Sequence, residues 1–424
     1  MQTRLPESLL ATAQGRRADE ILRSCVHCGM CNAVCPTYQL LGDELDGPRG
    51  RIYLIKGLLE SAEEDAAGVR TVQTHLDRCL TCRGCEVACP SGVQYGELLE
   101  IGREAMEERA RRTPWDALLR QWLGRVAPKP EVFAHLVVLG RWFKWLLPGV
   151  LGKMLPRREK GVGGRPAPVA DRSFRSTRRA LMLRGCVQRV ATPQANHAAE
   201  RLLNANGIEV LWAEDESCCG GLNLHLGQTG AALDFMRRNI NAMRPLLGKV
   251  EVIVSTASGC GVTVKDYGRL LADDADYAAD AARVAAMTSD LTEVAAPFTE
   301  LAGRDKGEIR RVAWHAPCTL RHGQGVSGIV EELLTRAGYE LVEVHDAHIC
   351  CGSAGTYSLL QRRLAGQLRD NKLANLMSGG PDAIVTANVG CQTHLAATAR
   401  VPVLHWAELL AEPSALEREG LLPG

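Results

Sequence analysis

Apolar and polar positions change their rhythm twice along the chain. Up to about residue 112 the pattern is helical, with Arg17 to Ser24, Gly50 to Glu60 and Gly96 to Arg112 each reading as a helix. From Ala180 onward, short apolar runs alternate with helical stretches: Ala180 to Leu183, Ile208 to Trp212 and Val250 to Val254, then Val312 to Trp314, Leu341 to Val344 and Ala383 to Val385. Such alternation predicts α/β units with a parallel sheet.

The two sets of runs belong to an internal repeat. RRALMLRGC ends at Cys186 and RRVAWHAPC ends at Cys318, 132 positions later. Cys218-Cys219-Gly220-Gly221 returns as Cys350-Cys351-Gly352-Ser353, again 132 apart, and TASGC at Cys260 is answered by ANVGC at Cys391, 131 apart. The expected fold is therefore α+β overall: a helical domain followed by a pseudo-twofold repeat of α/β units. In each copy the cysteines fall just beyond the carboxyl ends of the predicted strands, where open α/β sheets place their ligands.

Between the two regimes lies a segment of a different kind. Residues 113–158 hold four of the seven tryptophans, and residues 111–160 carry eleven basic against three acidic residues. Trp142, Phe143, Trp145, Leu146 and Leu147 beside lysine and arginine suit an interfacial helix, or one packed on the N-terminal unit or a partner subunit. Residues 159–178, rich in Gly, Pro and Arg, read as a linker. The expected units are thus 1–112, 113–158, 159–178, 179–300 and 301–424.

Composition narrows the class. With 424 residues, 46% of them hydrophobic, the chain has room for two or three domains, and a net charge of +1 gives no pull toward nucleic acid. Sixteen cysteines without an export signal imply reduced thiols and a cytoplasmic location. No run of eighteen apolar residues argues for a spanning helix, so any membrane contact is expected to be peripheral, on the cytoplasmic face of the inner membrane.

Two copies of C-x2-C-x2-C-x3-C-P carry the chemistry, CVHCGMCNAVCP at Cys25 to Pro36 and CLTCRGCEVACP at Cys79 to Pro90. This is the bacterial ferredoxin run for 4Fe-4S clusters, in which the fourth cysteine ligates the cluster held by the other run. On that rule Cys25, Cys28, Cys31 and Cys89 hold one cluster, and Cys79, Cys82, Cys85 and Cys35 hold the second. Zinc sites favour paired knuckles rather than a repeated three-plus-one pattern. The 54-residue interval between the runs, with GPRGRIYLIKG at Gly47 to Gly57, resembles the helical two-cluster domain of succinate dehydrogenase and heterodisulfide reductase iron–sulfur subunits.

The stretch from Cys186 to Cys391 resembles the CCG or cysteine-rich domain family, with a lone cysteine, CCG after thirty-odd residues, and a cysteine near a strand end. Heterodisulfide reductases close this pattern with C-x2-C, giving five thiolates for an unusual 4Fe-4S cluster; here Thr263 and His394 stand at the closing positions. Four readings stay open for Cys186, Cys218, Cys219 and Cys260 and for Cys318, Cys350, Cys351 and Cys391. They are one cluster per repeat, one shared cluster, a redox thiol pair, or structural cysteines. His394 is a candidate ligand, and His315, His345 and His348 lie near the second set.

No dinucleotide fingerprint, nucleotide loop or haem motif is found, so organic oxidation is expected on another chain. ASGCGVTVKDYG at Ala257 to Gly268, NVGCQTHL at Asn388 to Leu395 and CVQRVATPQAN at Cys186 to Asn196 resemble the iron–sulfur subunits of glycolate oxidases (glycolate dehydrogenases). That resemblance implies an electron-transfer subunit with flavoprotein partners that oxidise glycolate to glyoxylate, feeding a membrane acceptor such as quinone. Its rivals are the iron–sulfur subunit of a D-lactate or anaerobic glycerol-3-phosphate dehydrogenase, and a heterodisulfide-reductase-like enzyme that cleaves disulfides itself.

Overall fold

A computed structural model of the chain describes residues 1–61, 66–142, 178–302 and 309–411. At the N-terminus, helices Ala13–Ser24, Pro48–Glu60, Ala66–Asp77 and Tyr95–Arg109 close around Leu22, Ile55, Leu76, Leu98 and Leu99. Their starts follow local chemistry. The Thr12 hydroxyl accepts from the Gly15 N–H, a cap that contributes about 1 kcal/mol, and Pro48 occupies the first turn of its helix, where its missing N–H costs nothing. Helices Pro48–Glu60 and Tyr95–Arg109 approach closely because Gly102 has no side chain; a Cβ there would lie 2.6 Å from Cγ1 of Ile55. The three helices expected in this region are present, the last stopping at Arg109.

Helices Pro114–Val126 and Pro130–Trp142 follow. The first turns Arg120 and Leu123 inward, with the Arg120 guanidinium 2.8 Å from Asp77. It also meets the first α/β unit, where the side-chain amides of Asn223 and Gln228 donate to the carbonyls of Gly124 and Arg120. Its opposite face exposes Trp115, Leu118 and Trp122, and Trp142 is exposed at the end of the second helix. Phe143 to Leu147, the rest of the basic aromatic segment and nearly all of the expected linker lie outside the described residues. No helix among the described residues is long and apolar enough to cross a membrane.

Two four-stranded sheets make up the rest. The first contains β1 (Arg178–Leu183), β2 (Ile208–Leu211), β3 (Val252–Ser255) and β4 (Thr288–Asp290), in the order β2-β1-β3-β4. The second contains β5 (Arg311–His315), β6 (Glu340–Leu341), β7 (Ala383–Thr386) and β8 (Val403–His405), in the order β6-β5-β7-β8. All pairings are parallel, as the hydrophobic runs predict. Strands β4 and β8 were not expected, because Thr-Ser-Asp of β4 carries no apolar run and Val-Leu-His of β8 is only three residues long beside Pro402; β6 covers only the first residue of its expected span.

The sheets are not separate bodies. Met182 and Val254 of the first share one buried core with Val312, Trp314 and Trp406 of the second unit. Hydrogen bonds cross the seam: the Ser258 N–H donates to the Ala387 carbonyl at 3.0 Å, and the His405 Nε2–H donates to the Thr256 carbonyl at 2.9 Å.

Candidate iron–sulfur and thiol centres

The two ferredoxin-type runs fold into matching loops. Each places left-handed residues between its first three cysteines: His27 and Gly29 (φ 61 and 84) in one, Thr81 and Arg83 (φ 54 and 55) in the other. Three of these four are not glycine, and such strain persists where the surroundings demand it. Alternating right- and left-handed residues turn successive N–H groups toward one concavity, which suits an anionic sulfide-rich guest.

Cys25, Cys28, Cys31 and Cys89 line one concavity, and Cys35, Cys79 and Cys82 lie close enough to Cys85 to act on its thiol. Burial pushes the Cys31 thiol up to about 11, reinforced by the neighbouring Cys25 and by Cys89 from the other run. Cys85 is likewise raised by burial and by Cys82, Cys79 and Cys35. All eight are free thiols. Thiols crowded in this way ionise together only around a positive centre, so the donor sets fit metal clusters bound as thiolates. The groups differ in exposure. Cys28 lies at the surface beside the exposed Val26 and Met30, whereas Cys35, Cys79 and Cys85 are buried.

Arg51 and Tyr95 serve the buried group, and no motif announced either. Nη1 of Arg51 lies 3.8 Å from Sγ of Cys35, and the Tyr95 hydroxyl donates to Sγ of Cys79 at 3.5 Å. Burial would raise the Cys79 thiol, but Arg51 and Arg103 overcome it and hold it below its ordinary value. Asp46, fully buried, pairs with Arg51 and Arg78 and lies 2.9 Å from Nδ1 of His75.

The buried group abuts the second repeat. Cys82 is raised first by burial and then by Cys318, and Leu80 and Cys82 pack in one apolar cluster with Cys318, Cys350 and Tyr357. The Cys82 carbonyl and Nδ1 of His322 are 3.2 Å apart. The first repeat meets the N-terminal domain through ion pairs instead, Arg83 with Asp266 and Arg269 with Glu100.

Within each repeat the four cysteines converge at the carboxyl ends of the strands. In the first, the Cys219 thiol is hydrogen-bonded by Cys218 and Cys260 and by the Gly221 N–H, and is held well below its ordinary value, while Cys218 is raised by Cys186 and Cys219. In the second, Sγ of Cys318 and Cys350 are 3.8 Å apart, and Cys351 hydrogen-bonds with Cys350 and Cys391. Gly220 and Gly352 follow the vicinal pairs with φ of 86 each. A Cβ on Gly220 would lie 2.8 Å from the Ala232 carbonyl, and one on Gly352 2.9 Å from that of Ala365, which is why each pair is followed by glycine. His394 turns Nε2 to the Ala365 carbonyl at 3.2 Å. His345 is exposed and His348 half-buried, while His315 is buried beside Cys351 and Cys391.

Known proteins share this arrangement. Residues 21–93 match the 4Fe-4S dicluster domain, and residues 180–265 and 312–396 each match the cysteine-rich domain termed CCG. The glycolate oxidase iron–sulfur subunit of Escherichia coli (strain K12) is 48% identical over 99% of this chain and all of its own length. A protein of Bacillus subtilis (strain 168) named a probable glycolate oxidase iron–sulfur subunit is 28% identical over 92% of this chain and 94% of its own. A crystal structure of a hypothetical protein from Helicobacter pylori shares the fold with a TM-score of 0.55 at 10% identity, covering 97% of this chain and 74% of that one. With a dicluster domain, two cysteine-rich domains and an end-to-end relative at 48% identity, the chain belongs to the family of glycolate oxidase iron–sulfur subunits.

Proposed function

We propose that the chain is the iron–sulfur electron-transfer subunit of a glycolate (D-2-hydroxy acid) dehydrogenase complex, whose flavoprotein partner oxidises glycolate to glyoxylate and whose electrons pass toward a membrane acceptor such as quinone. The observation that carries this reading is the end-to-end similarity to the E. coli glycolate oxidase subunit. Cys25, Cys28, Cys31 and Cys89 would hold one 4Fe-4S cluster, and Cys79, Cys82, Cys85 and Cys35 the second, each supplying a one-electron couple when bound.

The placement of the two groups supports an order. Exposed Cys28, flanked by Val26 and Met30, presents a small apolar contact to a partner, while the group around Cys82 faces inward to Cys318. Two-electron chemistry on a flavin and one-electron chemistry here would then meet at the surface around Cys28. The exposed Trp115, Leu118 and Trp122 face offers a second contact, to a flavoprotein subunit at the cytoplasmic side of the membrane.

The test is Cys28→Ser in the complex co-expressed with its genomic neighbours. Glycolate should still reduce the partner flavin, and turnover with a quinone analogue should stop. Continued quinone turnover would sink the relay; turnover with D-lactate or glycerol 3-phosphate but not glycolate would replace the substrate.

A further inference from the structure

The second repeat meets the N-terminal domain with one buried polar atom that has nothing to bond. Tyr357 opens the short helix Tyr357–Leu360, seven positions after Cys350. Its ring packs in one apolar cluster with Leu80 of the second ferredoxin-type run and with Cys350, Leu364 and Leu368 of its own repeat, and Cys82 packs against the same cluster. The residue is 6% exposed, and its buried hydroxyl has no hydrogen-bond partner among the described residues. Leaving a buried hydroxyl unpaired is costly. Phenylalanine would fill the same space without that cost, so packing alone does not explain a tyrosine here.

The surroundings name an acceptor. Burial holds the phenol above its ordinary range, so it keeps its proton; of the charged groups near it, Arg51 and Cys79 act on it ahead of Cys350 and Asp46. The hydroxyl is thus under the influence of the buried group of Cys35, Cys79, Cys82 and Cys85 first, and of its own repeat second. A neutral thiol is a weak acceptor, whereas the thiolates and sulfides of a bound 4Fe-4S cluster carry negative charge and take charge-assisted hydrogen bonds. Tyr95 already treats this group so, its hydroxyl donating to Sγ of Cys79 at 3.5 Å.

The first repeat uses the same position in the same direction. Tyr357 stands 132 positions after His225, which follows the first vicinal pair at the same interval. The stretch beyond His225 packs on helix Tyr95–Arg109, where a Cβ at Gly227 would lie 2.7 Å from Cγ of Glu107. After burial, the group that acts most on His225 is Arg103, which itself donates to the Thr81 hydroxyl and the Cys79 carbonyl. Each copy therefore turns this position toward the run that carries Cys79, Cys82 and Cys85.

We propose that Tyr357 is a hydrogen-bond donor to a sulfur of the 4Fe-4S cluster held by Cys35, Cys79, Cys82 and Cys85, so that the second repeat sets the potential of a cluster in the N-terminal domain. This rests on the reading that those four cysteines hold a cluster. A hydrogen bond to a cluster sulfur favours the reduced, more negative state and raises the potential.

The experiment takes the full-length protein, purified anaerobically with its clusters, as wild type, as Tyr357→Phe and with fluorotyrosine in place of Tyr357. Iron and sulfide are counted, and the reduced clusters are titrated by EPR against ambient potential. Tyr357→Phe should keep its iron, and at the wild-type midpoint of the buried cluster the ratio of reduced to oxidised form should fall by roughly two- to tenfold, the range an ordinary hydrogen bond permits. The cluster that moves should be the one whose potential Arg51→Met also moves, and the other ferredoxin-type cluster should stay in place. Fluorotyrosine, a stronger donor of nearly the same size, should move the ratio the opposite way. That reversal is not produced by packing, and it decides the matter should the phenylalanine variant lose iron. Unmoved ratios, shifts of the same sign in both variants, or a shift confined to the cluster around Cys28 or to a centre in the second repeat would overturn the proposal. Wild-type protein with no cluster at Cys35, Cys79, Cys82 and Cys85 would overturn the reading of those cysteines, and the proposal with it.

Discussion

Nη1 of Arg51 lies 3.8 Å from Sγ of Cys35, bringing a fully buried positive charge against the sulfur group that faces the second repeat. Cluster potentials follow net charge and hydrogen bonding at the sulfurs. Replacing Arg51 by Met should lower the midpoint potential of the cluster held there by on the order of 100 mV, the size of a charge interaction at a few ångströms in a moderately polarisable interior. Arg51→Lys, which keeps the charge, should stay near wild type. Potentiometric titration followed by EPR checks both; equal potentials in the two variants would remove Arg51 from any tuning role.

The glycines after the vicinal cysteines set a second expectation. Gly220→Ala and Gly352→Ala each force a side chain into a left-handed turn against a carbonyl oxygen, and each should destabilise its repeat by about 1–3 kcal/mol. Urea unfolding reads the loss. Alanine at Gly57, where a Cβ meets nothing within 4 Å, is the control and should be neutral or slightly stabilising.

Stability should fall in mild acid through His405. Its Nε2–H donates to Thr256 while Nδ1 accepts from the Ala407 N–H, so only the neutral ring fits, and burial lowers its pKa from 6.5 to about 4. Between those values the unfolded chain binds more protons. The contribution is therefore complete above about pH 6.5 and is lost as pH falls toward 4. His225, lowered to about 4 by burial and Arg103, acts in the same direction. Urea midpoints at pH 7.5, 6.5 and 5.5 should decline for wild type and decline less for His405→Gln. A flat series would refute the assignment.

The aromatic face of helix Pro114–Val126 should matter for association and little for folding. Trp115 is 81% exposed and Trp122 47% exposed, so the double change to Ser should alter stability by less than about 1 kcal/mol. Co-purification of flavoprotein subunits with the variant should drop. Full recovery of those subunits would assign the face to something else.

How much was legible follows from the kind of signal each feature leaves. Cys25 to Cys89 announced their grouping through spacing, and the 132-residue repeat announced two like sheets, because both signals are written in residue identity and interval. Strands β4 and β8 left no such trace, being three residues long and supported by their neighbours. Arg51 and Tyr95 could not be singled out either: nothing in GPRGRIYLIKG says that one of its two arginines is buried, and only packing against His75 and Thr37 puts it beside Cys35. Tyr357 left no trace in the sequence, since its unpaired hydroxyl exists only in three dimensions.

The apolar core shared by Met182, Val254, Val312, Trp314 and Trp406 makes the duplication irreversible. Whatever ancestral half once stood alone, each half now keeps a core of its own on one side of its sheet and shares the core on the other, so parting them would bare one face of each sheet to water. A calorimeter should record a single cooperative transition for residues 178–411, and a shortened gene encoding either copy by itself should yield aggregate.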